Sequence, residues 1–211
     1  VTVKRRNGID VDETTTYTYN AVGSLESIYY PNNVKGTYGY NDLNRLTDLL
    51  WEKGSGTPLT WSPVYRYHYG LYADGQRANS QEYNAGSATA TASFIWQYDA
   101  INRLTQEQYA NGGVNDYTRQ YVYDLVSNRK SVKDGTGATL TAYTYNAMNQ
   151  LTFEDSTAGQ DYTYVYDDNG SQTQRIYGTN PNDPKDVYSY DLRGRLVGLT
   201  PKVGSAVAYA Y

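Results

Sequence analysis

Residues 190–196 read Tyr-Asp-Leu-Arg-Gly-Arg-Leu, and close variants of this stretch return along the whole chain of 211 residues. The general form is Tyr, any residue, Tyr, Asn or Asp, two further residues, and then Gly or Asn. Such internal repetition at a short period indicates a repeat architecture. The second tyrosines of the copies are 21 to 31 residues apart, and they are Tyr19, Tyr40, Tyr67, Tyr98, Tyr123, Tyr145, Tyr166, Tyr190 and Tyr211.

The motif predicts a β-hairpin with a three-residue loop. Tyr17 and Tyr19 lie two positions apart, so both rings belong to one face of a strand. Asn20 suits the first position of a type I turn, and Gly23 tolerates the left-handed backbone that follows such a turn in the common three-residue loop. Tyr19 should then lie opposite Leu25.

The same register, applied to every copy, predicts a tyrosine opposite the leucine six positions later. It also predicts a pair between the Asn or Asp of the turn and an Arg four positions later, and a positive φ at the left-handed position. A fully buried tyrosine contributes up to about 4 kcal/mol, whereas an exposed charge pair contributes about 0.2–1 kcal/mol, so the rings dominate. The residues that carry this structural motif are Tyr17, Tyr19, Gly23, Leu25, Tyr38, Tyr40, Asn44, Leu46, Tyr98, Asp99, Asn102, Arg103, Leu104, Tyr123, Asp124, Arg129, Tyr145, Asn149, Leu151, Tyr166, Gly170, Tyr190, Asp191, Gly194, Arg195 and Leu196.

One copy departs from the others after Tyr123. Residues 125–128 read Leu-Val-Ser-Asn, with no Gly or Asn at the usual third place of the loop. We therefore expect a loop that is one residue longer, with Asp124 still paired with Arg129.

The irregular part of the array lies between positions 40 and 98. A degenerate copy at residues 65–69 places His68, the sole histidine, at the first position of a turn. Residues 54–58 are predicted to be an inserted loop. Residues 83–86 are predicted to be an extra turn, followed by a strand of small residues over Ala88–Ser93.

None of these segments has the character of a domain boundary. We therefore expect residues 1–211 to be a single all-β array of about eight antiparallel hairpins, which twist and bulges should form into a curved sheet. The last four residues, Ala-Tyr-Ala-Tyr, resemble the start of another unit, and we expect the chain to be a fragment of a longer one. The first and last strands would then be exposed edges that favour self-association.

Composition argues against several classes of function. The formal net charge is −4 and the basic residues are scattered, apart from the cluster at residues 4–6, which is typical of a solvated chain end, so no nucleic-acid partner is expected. The chain has no Cys and one His, which leaves little for nucleophilic or metal chemistry. No apolar run approaches the roughly 20 residues of a membrane span. We expect no catalytic residue, no metal and no cofactor.

Three patterns that suggest chemistry are better explained by structure. Residues 167–170, Asp-Asp-Asn-Gly, lack the ligand spacing and the final Glu of a calcium loop, and the repeat turn accounts for the same letters. Residues 180–184 are predicted to be a loop that contains the chain's single Asp-Pro pair. His68 is expected to be a packed or solvated strand residue, because no local motif supplies a nucleophile.

The iterated motif resembles the YD repeat of the Rhs (rearrangement hot spot) proteins. The resemblance is closest at residues 190–196 and at residues 98–104, which read Tyr-Asp-Ala-Ile-Asn-Arg-Leu, and it covers essentially the whole chain. Residues 123–129 are similar to another common ending of the repeat. Insecticidal toxin complexes and the animal teneurins use similar repeats.

This resemblance implies a sheet that spirals into a hollow shell. Bacterial members of the family resemble toxin carriers, so it implies a non-catalytic wall segment whose partners are the rest of its parent chain and a toxin-like cargo. It also implies a secreted or cell-surface location in a bacterium. Asp183-Pro184 lacks the following residues of the family's self-cleavage segment, which leaves it as a turn.

The aromatic rows leave an alternative function open. Tyrosines together with Trp51, Trp61 and Trp96 could stack on sugar rings, which would make the chain a carbohydrate- or surface-binding module. Exposure distinguishes the two, since rings covered by a neighbouring layer are core and a solvent-facing platform favours sugars. An enzyme would instead require a cleft with perturbed carboxylates.

Overall fold

The computed structural model describes residues 2–6 and 12–211. Strands and turns make up these residues, which contain no helix and therefore no helical membrane span. The strands are β1 (Thr2–Arg6), β2 (Asp12–Tyr19), β3 (Leu25–Tyr30), β4 (Val34–Tyr40), β5 (Leu46–Ser55), β6 (Thr60–Leu71), β7 (Arg77–Asn84), β8 (Ala92–Tyr98), β9 (Leu104–Asn111), β10 (Val114–Tyr123), β11 (Arg129–Asp134), β12 (Thr139–Tyr145), β13 (Leu151–Ser156), β14 (Tyr162–Tyr166), β15 (Gln172–Ile176), β16 (Lys185–Tyr190), β17 (Leu196–Thr200) and β18 (Val207–Ala208).

Each strand is hydrogen-bonded to the strands that precede and follow it in the chain, and the pairs are antiparallel. Contacts divide the chain into two compact units, residues 1–118 and residues 119–211, with the division inside β10. Each unit is a run of consecutive hairpins. The predicted all-β class of tandem antiparallel hairpins is confirmed.

The predicted register of the motif is also confirmed. At each turn of the Tyr-x-Tyr motif the strand register shifts by one residue just before the second tyrosine. Such a shift is the mark of a β-bulge. The bulge absorbs the odd residue of a three-residue loop, and this brings the tyrosine opposite the leucine. The pairs are Tyr19 with Leu25, Tyr40 with Leu46, Tyr98 with Leu104, Tyr145 with Leu151 and Tyr190 with Leu196.

The left-handed positions have the backbone that the motif requires. Their φ angles lie between 57° and 85°, a region in which Gly is unstrained and Asn is tolerated. The prediction of positive φ is therefore confirmed at Gly23, Asn44, Asn102, Asn149, Gly170 and Gly194.

Replacing Gly194 with valine is expected to lower the free energy of unfolding by about 1–2 kcal/mol, the cost of left-handed backbone for a side chain. No atom lies within 4 Å of the position that a Cβ would take there, so crowding adds nothing. Urea denaturation at pH 7 measures the change. Arg193→Val, in the same exposed turn but not at its left-handed position, is the control, and an equal loss in both variants would contradict the assignment.

The turn after Tyr123 corrects one prediction. The Asp124 N–H donates to the Asn128 carbonyl at 2.9 Å, and Ser127 has a φ of 74°. The loop therefore has three residues, as in the other copies, because a serine takes the left-handed position. The predicted longer loop and the Asp124–Arg129 pair are both wrong, since Arg129 lies opposite Tyr123 in the place that leucine holds elsewhere.

The degenerate copy is also placed differently from the prediction. His68 lies inside β6, which continues to Leu71, and the turn begins at Tyr72, whose N–H donates to the Gln76 carbonyl at 2.8 Å. Counting from the tyrosines at 65–69 misplaced this turn by four residues. Gly75, with a φ of 98°, is the local signal that marks it.

Two further segments differ in their limits. The predicted loop at 54–58 is shorter, because β5 continues to Ser55 and β6 starts at Thr60. The predicted strand over 88–93 begins only at Ala92. The turn predicted at 83–86 is present, with the Ser87 N–H donating to the Asn84 carbonyl at 3.0 Å.

Very few side chains are fully covered. Among the described residues the buried hydrophobic ones are Ile28 and Ile176, which are 8% and 3% exposed. Most tyrosine rings are half-buried, because neighbouring rings cover one another on the face of a sheet while their hydroxyls reach its surface. Ile28 lies in register between Tyr17 and Gly36, so it belongs to this tyrosine-bearing face.

Candidate functional site

The residue that follows the second tyrosine organises each motif turn through its side chain. Its Oδ1 accepts the backbone N–H groups two and four positions later, at 2.8–3.1 Å. An Asn or Asp side chain is short enough to reach both donors, which explains why no other residue type occupies this place in these turns. The residues are Asn20, Asn41, Asp99, Asp124, Asn146, Asp167 and Asp191.

A further turn of the same kind joins β11 to β12 and was missed by the sequence reasoning. Asp134 Oδ1 accepts the N–H groups of Thr136 and Ala138 at 2.9 and 3.0 Å, and Gly137 has a φ of 90°. The pattern Asp-Gly-Thr-Gly at 134–137 contains the signal, but no Tyr-x-Tyr precedes it. The turn chemistry is therefore independent of the tyrosines.

Hydrogen bonds lower the pKa of several turn carboxyls. Backbone donation from Arg103 lowers the pKa of Asp99, and backbone donation from Arg195 lowers the pKa of Asp191. The guanidinium Nε atoms of the same arginines lie 2.7 Å from the carboxylate Oδ2 atoms. The predicted pairs of Asp99 with Arg103 and of Asp191 with Arg195 are thus confirmed.

Acid should weaken the turns that contain Asp but not those that contain Asn. A lowered folded-state pKa stabilises the fold above the unfolded value of about 3.9, and this stability is lost as the pH falls through the folded-state pKa. Changing Asp99, Asp124, Asp134 and Asp191 together to Asn keeps the Oδ1 acceptors and removes the titration. The variant is expected to lose less stability than the wild type between pH 5 and about pH 3, measured by urea denaturation at each pH.

Asp168→Asn is the matched control for that experiment, because Asp168 lies in a motif turn and its carboxylate accepts no hydrogen bond from any described residue, unlike that of Asp167. Its acid profile should follow the wild type. An unchanged acid profile in the fourfold variant would contradict the role given to the turn carboxylates.

Tyrosine hydroxyls connect successive hairpins. In four copies the hydroxyl of the second tyrosine donates to a backbone carbonyl of the preceding copy, at 2.7–3.0 Å. The accepting residue is the one that faces the second tyrosine of that preceding copy. The acceptor carbonyl adjoins the bulge, where the regular strand ladder is interrupted. The bonds run from Tyr40 to Leu25, from Tyr145 to Arg129, from Tyr166 to Leu151 and from Tyr190 to Gln172.

The motif turns are also connected to one another. The last residue of one turn donates through its side chain to the next turn, as Arg45 does to the Ala73 carbonyl at 2.9 Å and Gln150 to the Gly170 carbonyl at 3.3 Å. Ser24 donates in the same way to Asn44 Oδ1 at 2.7 Å. Within each unit these turns therefore form a row, which we call the turn row.

A charged cluster interrupts the tyrosine-bearing face in the second unit. Asp186 is 5% exposed, and its Oδ2 accepts from Arg175 Nη2 at 2.7 Å and from the Tyr177 hydroxyl at 2.9 Å. The Arg175 guanidinium also lies over the Tyr177 ring, 5.1 Å from its centroid. Burial and the hydrogen bond to Asp186 raise the pKa of Tyr177, which keeps the phenol protonated. The charged groups of this cluster bind one another, so their role is to hold the strands together.

The aromatic face of the first unit carries continuous ring contacts. Phe94 stacks on Trp96 with centroids 5.4 Å apart, and it contacts Tyr109 at 4.8 Å. Glu107 accepts from Trp96 Nε1 at 3.0 Å and from the Tyr117 hydroxyl at 2.9 Å, which fixes the rings.

His68 has a carboxylate partner but no nucleophile. Its Nδ1 lies 2.8 Å from Asp48 Oδ1, on the surface opposite the tyrosines, and both side chains are about half exposed. Its described contacts contain no Ser or Thr hydroxyl. The described residues also contain no group of three or more His, Asp or Glu side chains arranged to hold a metal ion.

The fold is that of known toxin-complex chains. A crystal structure of TcdB2-TccC3 without its hypervariable C-terminal region matches 89% of this chain with a TM-score of 0.67 and 17% identity. The structure of TcdB2-TccC3-Cdc42 matches 91% with a TM-score of 0.64 and 15% identity. This chain shares its repeat fold with TcdB2-TccC3. The agreement fits the resemblance of the motif to the Rhs/YD repeat.

The likeness has a definite extent. This chain spans 10% and 12% of the lengths of those two chains, so it corresponds to a small part of each. At these identities the likeness concerns the fold. No model of a known protein family matches the sequence, and no curated protein matches it.

Proposed function

We propose that this chain is a non-catalytic segment of a β-repeat wall that encloses or carries another polypeptide. The observation that carries the proposal is the repeated hairpin itself, in which the turn row and the tyrosine hydroxyls connect each unit to the next. These contacts are local and repeat along the chain, so they favour extension of a sheet over the construction of a cleft. In each of the seven motif turns the Asn or Asp that follows the second tyrosine is used in holding the turn.

The similar structures support the same role. A segment with this repeat fold is common to a structure of TcdB2-TccC3 and to one of TcdB2-TccC3 without its hypervariable C-terminal region. By analogy, the partners of this chain are the remainder of its parent protein and a toxin-like cargo. The parent would be secreted by a bacterium or displayed on its surface, and residues 1–211 would act as one array within it.

Protease protection in the full-length parent tests the enclosure. A specific protease site is introduced into the domain that follows the repeats, and its cleavage rate is compared between the parent and a version from which the repeats are deleted. Slow cleavage in the parent and fast cleavage after deletion are expected. Equal cleavage rates in the parent and in the deleted version would refute enclosure. The parent carrying Arg193→Val is the control, and a cleavage rate equal to that of the unmodified parent would show that the assay does not respond to small surface changes.

Solvent-facing aromatics favour one second candidate, a carbohydrate- or surface-binding module. Tyr19 and Tyr65 are 48% and 49% exposed, so parts of the aromatic face are accessible within this chain. Rings of this kind stack on apolar sugar faces. If the chain is a sugar-binding module, sugars should protect these tyrosines from chemical modification. If it is a wall segment, the rest of the parent chain should protect them.

A further inference from the structure

One motif turn of the first unit departs from the rule that the seven turns described above obey. At the turn of residues 72–76 the organising position holds Tyr72, so no Oδ1 atom receives the two N–H groups. Asp74 Oδ1 accepts the Gln76 N–H instead, at 3.0 Å. The turn that begins at Tyr30 has the same arrangement, with Asn32 Oδ1 accepting the Val34 N–H at 3.2 Å, so the surroundings of Tyr72 and not the departure alone point to a function.

Tyr72 is held as a wall of an open cavity. Its hydroxyl donates to the Trp96 carbonyl at 3.0 Å, and its ring meets Tyr98 edge-on, with the centroids 6.2 Å apart and the planes at 87°. Tyr72 is still 42% exposed. The cavity has a volume of about 560 Å³, within the range of roughly 300–1,000 Å³ typical of ligand pockets.

The polar lining of this cavity is anionic. Asp74 and Asp99 line it together with the two tyrosines, and the remaining polar residues are uncharged amides. Asp99 is already paired with Arg103, whereas the Oδ2 of Asp74 accepts no hydrogen bond from the part of the chain that the structure describes. No Lys or Arg side chain contributes to the lining among the described residues. Arg45 lies beside the cavity, where its guanidinium donates to the Ala73 carbonyl at 2.9 Å, so the charge left for a ligand is that of Asp74, and a single cationic group would complement it.

Elsewhere the chain completes the same arrangement with its own residues. Lys35 lies 5.4 Å from the Trp61 centroid and 3.2 Å from Glu52 Oε2. Arg175 contacts Tyr177 and Asp186 in the same manner. An aromatic ring beside a carboxylate is thus one setting in which this fold holds a cationic side chain, since both groups attract it.

We propose that the cavity formed by Tyr72, Asp74 and Tyr98 binds an arginine or lysine side chain of a partner polypeptide. The cation lies over the Tyr72 ring and pairs with the free oxygen of Asp74. The Tyr72–Trp96 hydrogen bond holds the ring in place before binding. This assignment does not depend on whether the partner is enclosed.

The test uses two isosteric probes, the charged acetyl-arginine amide and the uncharged acetyl-citrulline amide. Each is titrated into the ¹⁵N-labelled chain. The arginine probe is expected to shift the backbone amide signals of Gly75 and Gln76 and to bind roughly tenfold more tightly than the citrulline probe, the scale of one cation–π contact with a carboxylate. The preference should weaken in high salt.

Two variants separate binding from folding. Asp74→Asn keeps the acceptor for the Gln76 N–H and removes the charge, so it should abolish the preference for arginine. Tyr72→Asn restores the turn rule of the other copies, so the chain should fold, as its remaining amide signals will report, while binding is lost. Leu192→Ala, at a fully exposed turn position, should bind like the wild type.

Three results would overturn the assignment. They are equal affinities for the two probes, binding that survives Tyr72→Asn, and a response to neutral sugars such as glucose that exceeds the response to arginine.

Discussion

Replacing Asp186 with alanine is expected to lower the free energy of unfolding at pH 7 by about 3 kcal/mol. The carboxylate is 5% exposed and accepts four hydrogen bonds, two from Arg175, one from Tyr177 and one from the Lys202 N–H. Its removal leaves a guanidinium, a phenol and an amide without their acceptor. Arg175 retains some contact with water at 39% side-chain exposure, which keeps the loss at the low end of the range for a broken buried pair.

Acid should reduce the difference in the free energy of unfolding between the wild type and the Asp186→Ala variant. Burial raises the pKa of Asp186, but the hydrogen bonds from Lys202, Tyr177 and Arg175 outweigh it and hold the pKa below its ordinary value. A group whose pKa is lowered by folding stabilises the protein above its unfolded pKa and loses that effect as the pH falls through the folded-state value. Wild type and variant should therefore approach each other in stability below about pH 4.

Urea denaturation at pH 7 and at low pH measures both effects. Asp186→Asn is the matched control, because its Oδ1 still accepts the Lys202 N–H while the charge that faces Arg175 is gone. We expect it to lose less stability than the alanine variant. A loss below about 1 kcal/mol for Asp186→Ala, the scale of an exposed pair, would mean that the cluster is solvated in solution.

The motif turns were predictable because they depend only on neighbouring residues. A turn of three residues is specified by Asn20 at its start and Gly23 at its end, and no distant contact is needed to fix it. The same locality explains the errors. Ser127 took a left-handed position that its residue type rarely adopts, in a turn that Asp124 Oδ1 holds through the N–H groups of Val126 and Asn128.

The contacts between copies were not predictable in the same way. Arg175 and Asp186 meet across the loop of residues 177–184, whose length and path decide whether the two strands bring them together. The tyrosine hydroxyl bonds depend on how far a ring leans over the preceding strand, which the spacing of Tyr-x-Tyr does not specify. Sequence reasoning expected the core under the tyrosines, and Ile28 lies there.

Ile176 lies on the other face, and this leads to the second large effect. It follows Arg175 in β15, so its side chain points away from the tyrosine-bearing face, and its register partners are Thr163 and Lys185. It is nevertheless 3% exposed, the most deeply buried hydrophobic side chain among the described residues. The second unit therefore buries apolar surface on both faces of its sheet.

Ile176→Ala is expected to destabilise the chain by about 3 kcal/mol, from lost burial and the cavity that remains. Ile176→Val should cost about 0.5–1.5 kcal/mol, since one methylene is removed. Ile95→Ala is the control, because this isoleucine is 45% exposed on a strand and its truncation should cost less than about 1 kcal/mol. Urea denaturation, with hydrogen exchange of the β14 to β16 amides as a local probe, measures the three variants. Equal losses at positions 176 and 95 would mean that the face opposite the tyrosines contributes no packing, and the stability of the second unit would then rest on its rings, its turns and the Asp186 cluster.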